Sequence, residues 1–300
     1  MIVGTPRSGT TLVQRLASEL PGVRVPPETH FFRSFVRGLL KRRVLPLRRA
    51  AIVQELEVFL ELDTSRGLEL RPEAVAERLG GRCATVTELF AAVVRELGGD
   101  GRLYGEKTPS HLRWWPLLTR SMPELRFVFV VRDPRAVVGS YFAAWGVRPH
   151  AVVAERWAID QQQVALAERS LGDAGCLLLR YEDVVHDAEA SRRRLAAFLG
   201  ASDESKAVAA PLSLPWETWK AGVAEPVRGD RTNAWRGTLP DRVWNDIETI
   251  TGAEMVRFGY TPDGSGTHAL DPASRAQRRR YRLDRIREHR AIELLATQTS

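Results

Sequence analysis

Residues 4–11 read Gly4-Thr5-Pro6-Arg7-Ser8-Gly9-Thr10-Thr11, the spacing of a phosphate-binding loop, G-x-x-x-x-G-K-[ST], with threonine where the lysine belongs. Ile2-Val3 ahead of it is apolar and β-branched, and Leu12 and Leu16 behind it stand four apart, so the loop joins a strand to a helix. Backbone N–H groups and the helix dipole favour a phosphate at such a junction. In an ATP-using loop the lysine bridges the β- and γ-phosphates. Its absence argues against ATP hydrolysis and leaves room for a single nucleotide phosphate, with Arg7 as the cation.

The rest of the chain alternates strand and helix signals. Val23 to His30 reads as a second strand ending in a turn, and Phe31 to Gly98 as helices, with Val53-Leu56-Phe59-Leu60 and Leu89-Phe90-Val93-Val94-Leu97 recurring at three and four. Leu103 to Lys107 is a strand edge leading into a helix over Ser110–Leu118. The fully apolar Phe127–Val131 suits a central parallel strand and runs into a helix over Arg135–Trp145. Cys176–Tyr181 is another strand and Ala188–Leu199 another helix. Pro211 to Pro240 holds four Pro, three Gly and three Trp and reads as an ordered loop or lid. A helix over Asp241–Met255 follows, then a tail from Asp271 with eight Arg, helical from Ala273. This alternation predicts a parallel α/β sheet.

At 300 residues and 44% hydrophobic the chain suffices for one elaborated domain, expected over 1–270 with a helical insertion at about 36–100 and the basic tail at 271–300. Its longest apolar runs are too short to span a bilayer. The loop begins at the fourth residue, which leaves no signal peptide and a very short first strand, with room for residues upstream of this reading frame. Cys83 and Cys176 are far apart and lack metal-ligand spacing, which suits a reduced cytoplasmic protein. The formal charge of +7 favours anionic ligands, but 40 of the 44 basic residues are Arg, a bias that makes single arginines uninformative and each of the four lysines worth weighing.

Two elements carry the chemistry together: the opening loop, and a strand ending in Arg132-Asp133-Pro134-Arg135 with Ser140 two helical turns on. An arginine at the carboxyl edge of a parallel sheet is a bidentate phosphate ligand where α/β proteins bind theirs. In this order the two motifs resemble the sulfotransferases that use 3′-phosphoadenosine 5′-phosphosulfate. The resemblance extends to Glu28, to Glu106-Lys107-Thr108-Pro109, to Arg180-Tyr181-Glu182-Asp183 and to Trp235-Arg236-Gly237, and covers residues 2 to about 262 apart from 36–100. It is strongest toward the branch containing tyrosylprotein sulfotransferases and many bacterial enzymes.

The resemblance implies a P-loop-containing three-layer fold with a central parallel sheet, a helical insertion and a C-terminal helix. It implies 5′-phosphosulfate binding by Arg7, Ser8, Gly9, Thr10 and Thr11, and 3′-phosphate binding by Arg132 and Ser140. Glu28 would be the base that takes the acceptor proton, with His30 two residues on as its competitor. Lys107 would serve the bridging oxygen or the sulfuryl group, and Arg7 would share in catalysis. Tyr181 would flank the base or ribose, Trp235 would close over the adenine, and Arg236, or its rivals Arg228 and Arg231, would reach the 3′-phosphate. A sulfuryl group carries less charge than a γ-phosphoryl, so no metal is expected. The acceptor would bring a hydroxyl on a small molecule, natural product or glycan, in a bacterial cytosolic setting.

Two other readings compete. A P-loop kinase or nucleotide hydrolase needs a Mg²⁺-binding Asp at a strand end, where Asp133 is the candidate. A polyanion- or nucleic-acid-binding protein would use the charge and the tail, but leaves Glu28 and the loop unexplained. For the tail, a helix packed on the domain ranks above an oligomer contact, and that above an anion-binding arm. The basic run Arg37–Arg43 reads as a solvated helix face ahead of a surface for an anionic acceptor or membrane.

Overall fold

The structure, a computed structural model, describes residues 1–33, 35–36, 38, 45–145, 149–204, 213–214, 217, 235–237, 239–263 and 269–297. In chain order the first elements are β1 (Ile2–Gly4), α1 (Thr10–Ser18), β2 (Val23–Arg24), β3 (Leu47–Arg48), α2 (Arg49–Leu60), α3 (Pro72–Arg78), β4 (Arg82–Cys83), α4 (Val86–Gly98) and β5 (Leu103–Tyr104). A 3₁₀ helix (Pro109–Trp114) leads into α5 (Trp115–Ser121), β6 (Phe127–Val131), α6 (Pro134–Trp145), α7 (His150–Gly175) and β7 (Cys176–Arg180). Then come α8 (Tyr181–His186), α9 (Ala188–Leu199), α10 (Asp241–Arg257) and α11 (Pro272–Thr297).

β6 is the centre of a parallel sheet, flanked by β1, with Val3 opposite Phe129, and by β7, with Leu178 opposite the same residue. A parallel bridge from Ile2 to Lys107 adds the β5 segment, and β2 pairs with β5 in parallel. The strand order is therefore β2–β5–β1–β6–β7. The continuous apolar run of β6 has a direct cause, since its side chains enter two cores in alternation. Phe127, Phe129 and Val131 join Trp157, Val164 and Leu112 on one face. Val128 and Val130 join Val13, Leu16 and Leu195 on the other. Helices thus cover both faces of the sheet in three layers.

Several expectations change. The second strand is only Val23–Arg24, because Pro26 and Pro27 donate no ladder N–H and the Gln14 side chain takes the Val25 and Pro26 carbonyls at 3.1 and 2.8 Å. The helix expected at Ser110–Leu118 is the 3₁₀ turn followed by α5. Residues 31–98 are not all helical, since β3 and β4 pair antiparallel between α2 and α4. The 26-residue α7 carries no expectation from the sequence. The tail forms α11, which lies on α7 through Glu155, where Arg278 donates at 2.6 Å and Arg282 also pairs. Arg37, Lys41, Arg42, Arg43, Arg228, Arg231 and most of the 211–240 loop lie outside the described residues.

Candidate active site

The phosphate loop is bent by two left-handed residues, Arg7 at φ 74° and Gly9 at φ 90°. For arginine that conformation is costly and marks a position fixed by its surroundings. Gly4 is required differently: a Cβ there would sit 2.3 Å from the Val130 carbonyl oxygen. Gly9 caps α1, whose first turn holds no acidic residue, so the helix N-terminus stays electropositive. Ser8 is fully buried, and its hydroxyl has no hydrogen-bond partner among the described residues. A buried hydroxyl left without a partner inside such a loop fits an anion that would supply one.

The loop and the second motif are joined. Arg7 Nε donates to Ser140 Oγ at 3.0 Å, and Arg132 Nη1 donates to the Arg7 carbonyl at 3.1 Å. Tyr181 packs edge-on against Gly9, and the Arg132 guanidinium lies 4.2 Å over its ring. Burial lowers the proton affinity of Arg7, and the nearby Arg132 charge lowers it further. Arg132 is lowered as well, by burial, partly offset by Tyr181 and Glu182. Two crowded, desolvated guanidiniums on a helix N-terminus form a cradle for a multiply charged anion.

Beside it lies a buried ion pair. Lys107 Nζ contacts Glu28 Oε1 and donates to Thr11 Oγ1 at 3.2 Å, and Lys107 is fully buried. His30 Nε2 lies 3.2 Å from Glu28 Oε2, so the two rival bases are in contact. Their placement comes from Glu106, which precedes Lys107. It accepts from Thr29 Oγ1 at 2.9 Å, Thr108 N at 3.1 Å, Thr108 Oγ1 at 2.5 Å and His111 Nδ1 at 3.0 Å. Burial would raise the Glu106 carboxyl, but the His111 ring and the two threonine hydroxyls outweigh it and hold it down at about 2. His111 is also held on its other side, with Phe32 N at 3.3 Å from Nε2.

Helix α7 steadies the cradle from behind. Trp157 Nε1 donates to the Arg132 carbonyl at 2.8 Å, and Gln161 Nε2 to Thr5 Oγ1 at 3.1 Å. Glu182 accepts from Asp133 N at 3.1 Å and from the Tyr260 hydroxyl at 2.7 Å, tying the ends of β6 and β7 together. Sequence reading missed Trp157, Gln161 and Tyr260, and it named Glu106 and Glu182 only as parts of motifs. Trp235 is stacked by Arg135 at 4.3 Å and Arg236 at 4.6 Å and meets Trp244 edge-on, while Arg236 pairs with Asp263 at 3.1 Å. The contacts that hold this stack run to α6 and α10. Asp133 is committed to Arg135, whose Nη2 lies 2.7 Å from Oδ2. Among the described residues, one His–carboxylate trio is close enough to share an ion: Glu28, His30 and Glu217. Lys107 already places a cation on its Glu28.

An anion cradle facing a buried carboxylate–ammonium pair is the layout of a group-transfer enzyme on an α/β P-loop scaffold. The profile of the sulfotransferase family matches residues 1–205, and the chain belongs to that family, whose donor is 3′-phosphoadenosine 5′-phosphosulfate. It is a sulfotransferase. The chain is 24% identical to protein-tyrosine sulfotransferase A of Caenorhabditis elegans over 88% of its own length and 67% of the worm protein. It is 26% identical to protein-tyrosine sulfotransferase 2 of Gallus gallus, over 87% and 69%. The Drosophila melanogaster protein-tyrosine sulfotransferase, 23% identical, is spanned over only 51% of its length. The fold matches the sulfotransferase domain of the Synechococcus PCC 7002 olefin synthase with a TM-score of 0.59 at 20% identity, covering 87% of this chain and 94% of that one. The sulfotransferase domain of the curacin biosynthetic pathway gives 0.58 at 15% identity. No described helix is long and apolar enough to cross a membrane.

Proposed function

We propose that this enzyme moves the sulfuryl group of 3′-phosphoadenosine 5′-phosphosulfate to a hydroxyl of a small-molecule, natural-product or glycan acceptor, without a metal. The observation that carries the reading is the junction of the two phosphate motifs, Arg7 to Ser140 at 3.0 Å and Arg132 to the Arg7 carbonyl at 3.1 Å. One ligand with phosphates at both ends of a ribose would engage both.

In this reading Arg7, Ser8, Gly9, Thr10 and Thr11 hold the 5′-phosphosulfate through side chains and loop amides, and Arg132 and Ser140 hold the 3′-phosphate. Tyr181, against Gly9, borders the nucleoside, while Trp235 and Arg236 close the site only if their stack opens. Glu28 takes the acceptor proton as the acceptor oxygen bonds to sulfur and the sulfur–oxygen bond to the 5′-phosphate breaks. Lys107 leaves Glu28 for the sulfuryl or bridging oxygen and, with Arg7, holds the charge that develops there.

A kinase reading has little support, since Asp133 is neutralised by Arg135 rather than open to Mg²⁺. The named activity of the relatives favours a second acceptor, the tyrosine phenol of a protein. Two buried, unpaired cysteines fit a reducing, cytoplasmic setting.

The test is calorimetric titration with adenosine 3′,5′-bisphosphate, ATP and 5′-AMP, each with and without Mg²⁺. Tight, metal-independent binding of the bisphosphate alone is the expected result. Preference for ATP–Mg²⁺ would overturn the reading in favour of a kinase.

A further inference from the structure

Helix α7 answers to no motif, yet three of its side chains reach every part of the proposed donor site. Arg156 Nη1 donates to the Tyr141 hydroxyl at 3.2 Å, beside Ser140 on α6. Trp157 Nε1 donates to the Arg132 carbonyl at 2.8 Å. Gln161, one turn on and on the same face, donates from Nε2 to Thr5 Oγ1 at 3.1 Å. The helix is itself pinned: Glu155 pairs with Arg278 and Arg282 of α11, and Asp160 with Arg113 at 3.4 Å.

Gln161 and Thr5 are both fully buried, and the amide's Oε1 has no hydrogen-bond partner among the described residues. A half-satisfied buried amide weakens a core in which an apolar side chain of similar size would leave no polar atom unmet. What the amide secures is the loop. Thr5-Pro6-Arg7-Ser8 is a four-residue turn closed by Ser8 N on the Thr5 carbonyl at 3.1 Å, with Arg7 at φ 74° in its third place. Proline second and a positive φ third are the marks of a type II turn, whose third residue is ordinarily glycine. Arginine resists that conformation, so the turn needs a hold from outside itself. Gln161 supplies one at the turn's first residue.

We propose that Gln161 is a positioning residue for the sulfuryl donor. It fixes the turn that carries Arg7 relative to Arg132, which Trp157 of the same helix holds, so that the two phosphate sites match the span of one 3′,5′-bisphosphate. This rests on the reading that one donor engages both motifs. A monophosphate needs only its own site, whereas the bisphosphate needs both in register. Gln161 thus sets selectivity for a doubly phosphorylated nucleotide by acting through Thr5.

The experiment is calorimetric titration of the full chain with adenosine 3′,5′-bisphosphate, 5′-AMP and adenosine 3′-phosphate, alongside thermal melts. Wild type, Gln161→Leu, Thr5→Val and the double variant are compared. The double variant replaces both partners by apolar groups of nearly the same shape, so its Tm should hold or rise. Its Kd for the bisphosphate should nevertheless increase about tenfold, the effect of about one hydrogen bond, while the Kd of each monophosphate stays close to wild type. Each single variant should lose the same factor and the double no more, since all three remove one contact. Equal weakening of all three nucleotides, or a falling Tm with an unchanged ratio of bisphosphate to monophosphate affinity, would mean that Gln161 only supports the fold and would overturn the inference. Wild-type bisphosphate affinity in the double variant would overturn it as well. A wild type that binds the bisphosphate no better than 5′-AMP would overturn the two-motif donor reading itself, and this inference with it.

Discussion

Replacing Gly9 by alanine tests the cradle at its tightest point. A Cβ at Gly9 would fall 2.3 Å from Tyr181 Cδ2 and 2.8 Å from Cε2, so the ring must retreat by about 1 Å to reach ordinary van der Waals contact. That movement lifts the ring away from the Arg132 guanidinium 4.2 Å above it, a stack worth about 1 kcal/mol when partly desolvated. Holding alanine at φ 90° costs roughly 1–2 kcal/mol more. The folded protein should therefore lose about 2–3 kcal/mol, read as a drop in Tm of several degrees. For the ligand, a displaced Arg132 weakens a charge-assisted phosphate contact worth about 1.5–3 kcal/mol, so the bisphosphate Kd should rise roughly tenfold to a hundredfold. Calorimetry and thermal melts measure the two effects separately. The decisive control is Gly9→Ala combined with Tyr181→Ala, which removes the clash and leaves the backbone strain. The double variant should lose less than the sum of the singles, by about 1 kcal/mol. Strict additivity, or wild-type affinity in Gly9→Ala, would refute the packing argument.

Glu28→Gln should cut turnover by about a hundredfold or more while the bisphosphate Kd changes little, and a wild-type rate would remove Glu28 as the base. Arg132→Ala should abolish the preference for adenosine 3′,5′-bisphosphate over 5′-AMP in competition titrations, and retained preference would separate Arg132 from the 3′-phosphate. Glu106 gives a pH signature. Its folded carboxyl is held at about 2, below the ordinary 4.5, so its contribution to stability is complete above 4.5 and fades as pH falls toward 2. Plotted against pH, the Tm gap between wild type and Glu106→Gln should narrow over that window, and a constant gap would contradict the assignment.

What could be read from the sequence was whatever short-range spacing encodes. The loop, β6 with its terminal Arg132, and Lys107 each lie in motifs of a few residues, and the structure brings them together. Helix α7 was hard to read because its inward face interleaves charged and amide side chains with apolar ones such as Trp157 and Val164. Glu155, Asp160 and Gln161 are all buried, answered by Arg278 and Arg282 of α11, by Arg113 and by Thr5. Hydrophobic periodicity is blurred in a helix whose buried face mixes ion pairs and amides with its apolar contacts. For Trp235 the aromatic signal was real, but burial on Arg135 accounts for it as fully as a nucleotide would.

The threonine at the lysine position of the loop now has a physical account. The Thr11 hydroxyl that ends the motif receives an ammonium after all, from Lys107, which reaches across from the neighbouring segment at 3.2 Å. The chain has kept a lysine at the loop and changed the direction from which it comes. A lysine at position 10 would rise from the helix N-terminus, surrounded by phosphate-binding amides, and could answer only to the donor. Lys107 instead arrives joined to Glu28, the candidate base, from a segment where the flanking Thr108 N–H donates to the Glu106 carboxylate. The proposed base and the cation proposed to stabilise departure thus form one pair in the structure, which the donor would have to part. In the proposed reaction Glu28 would be released to act only when the donor claims Lys107, an order of events that a lysine within the loop could not impose.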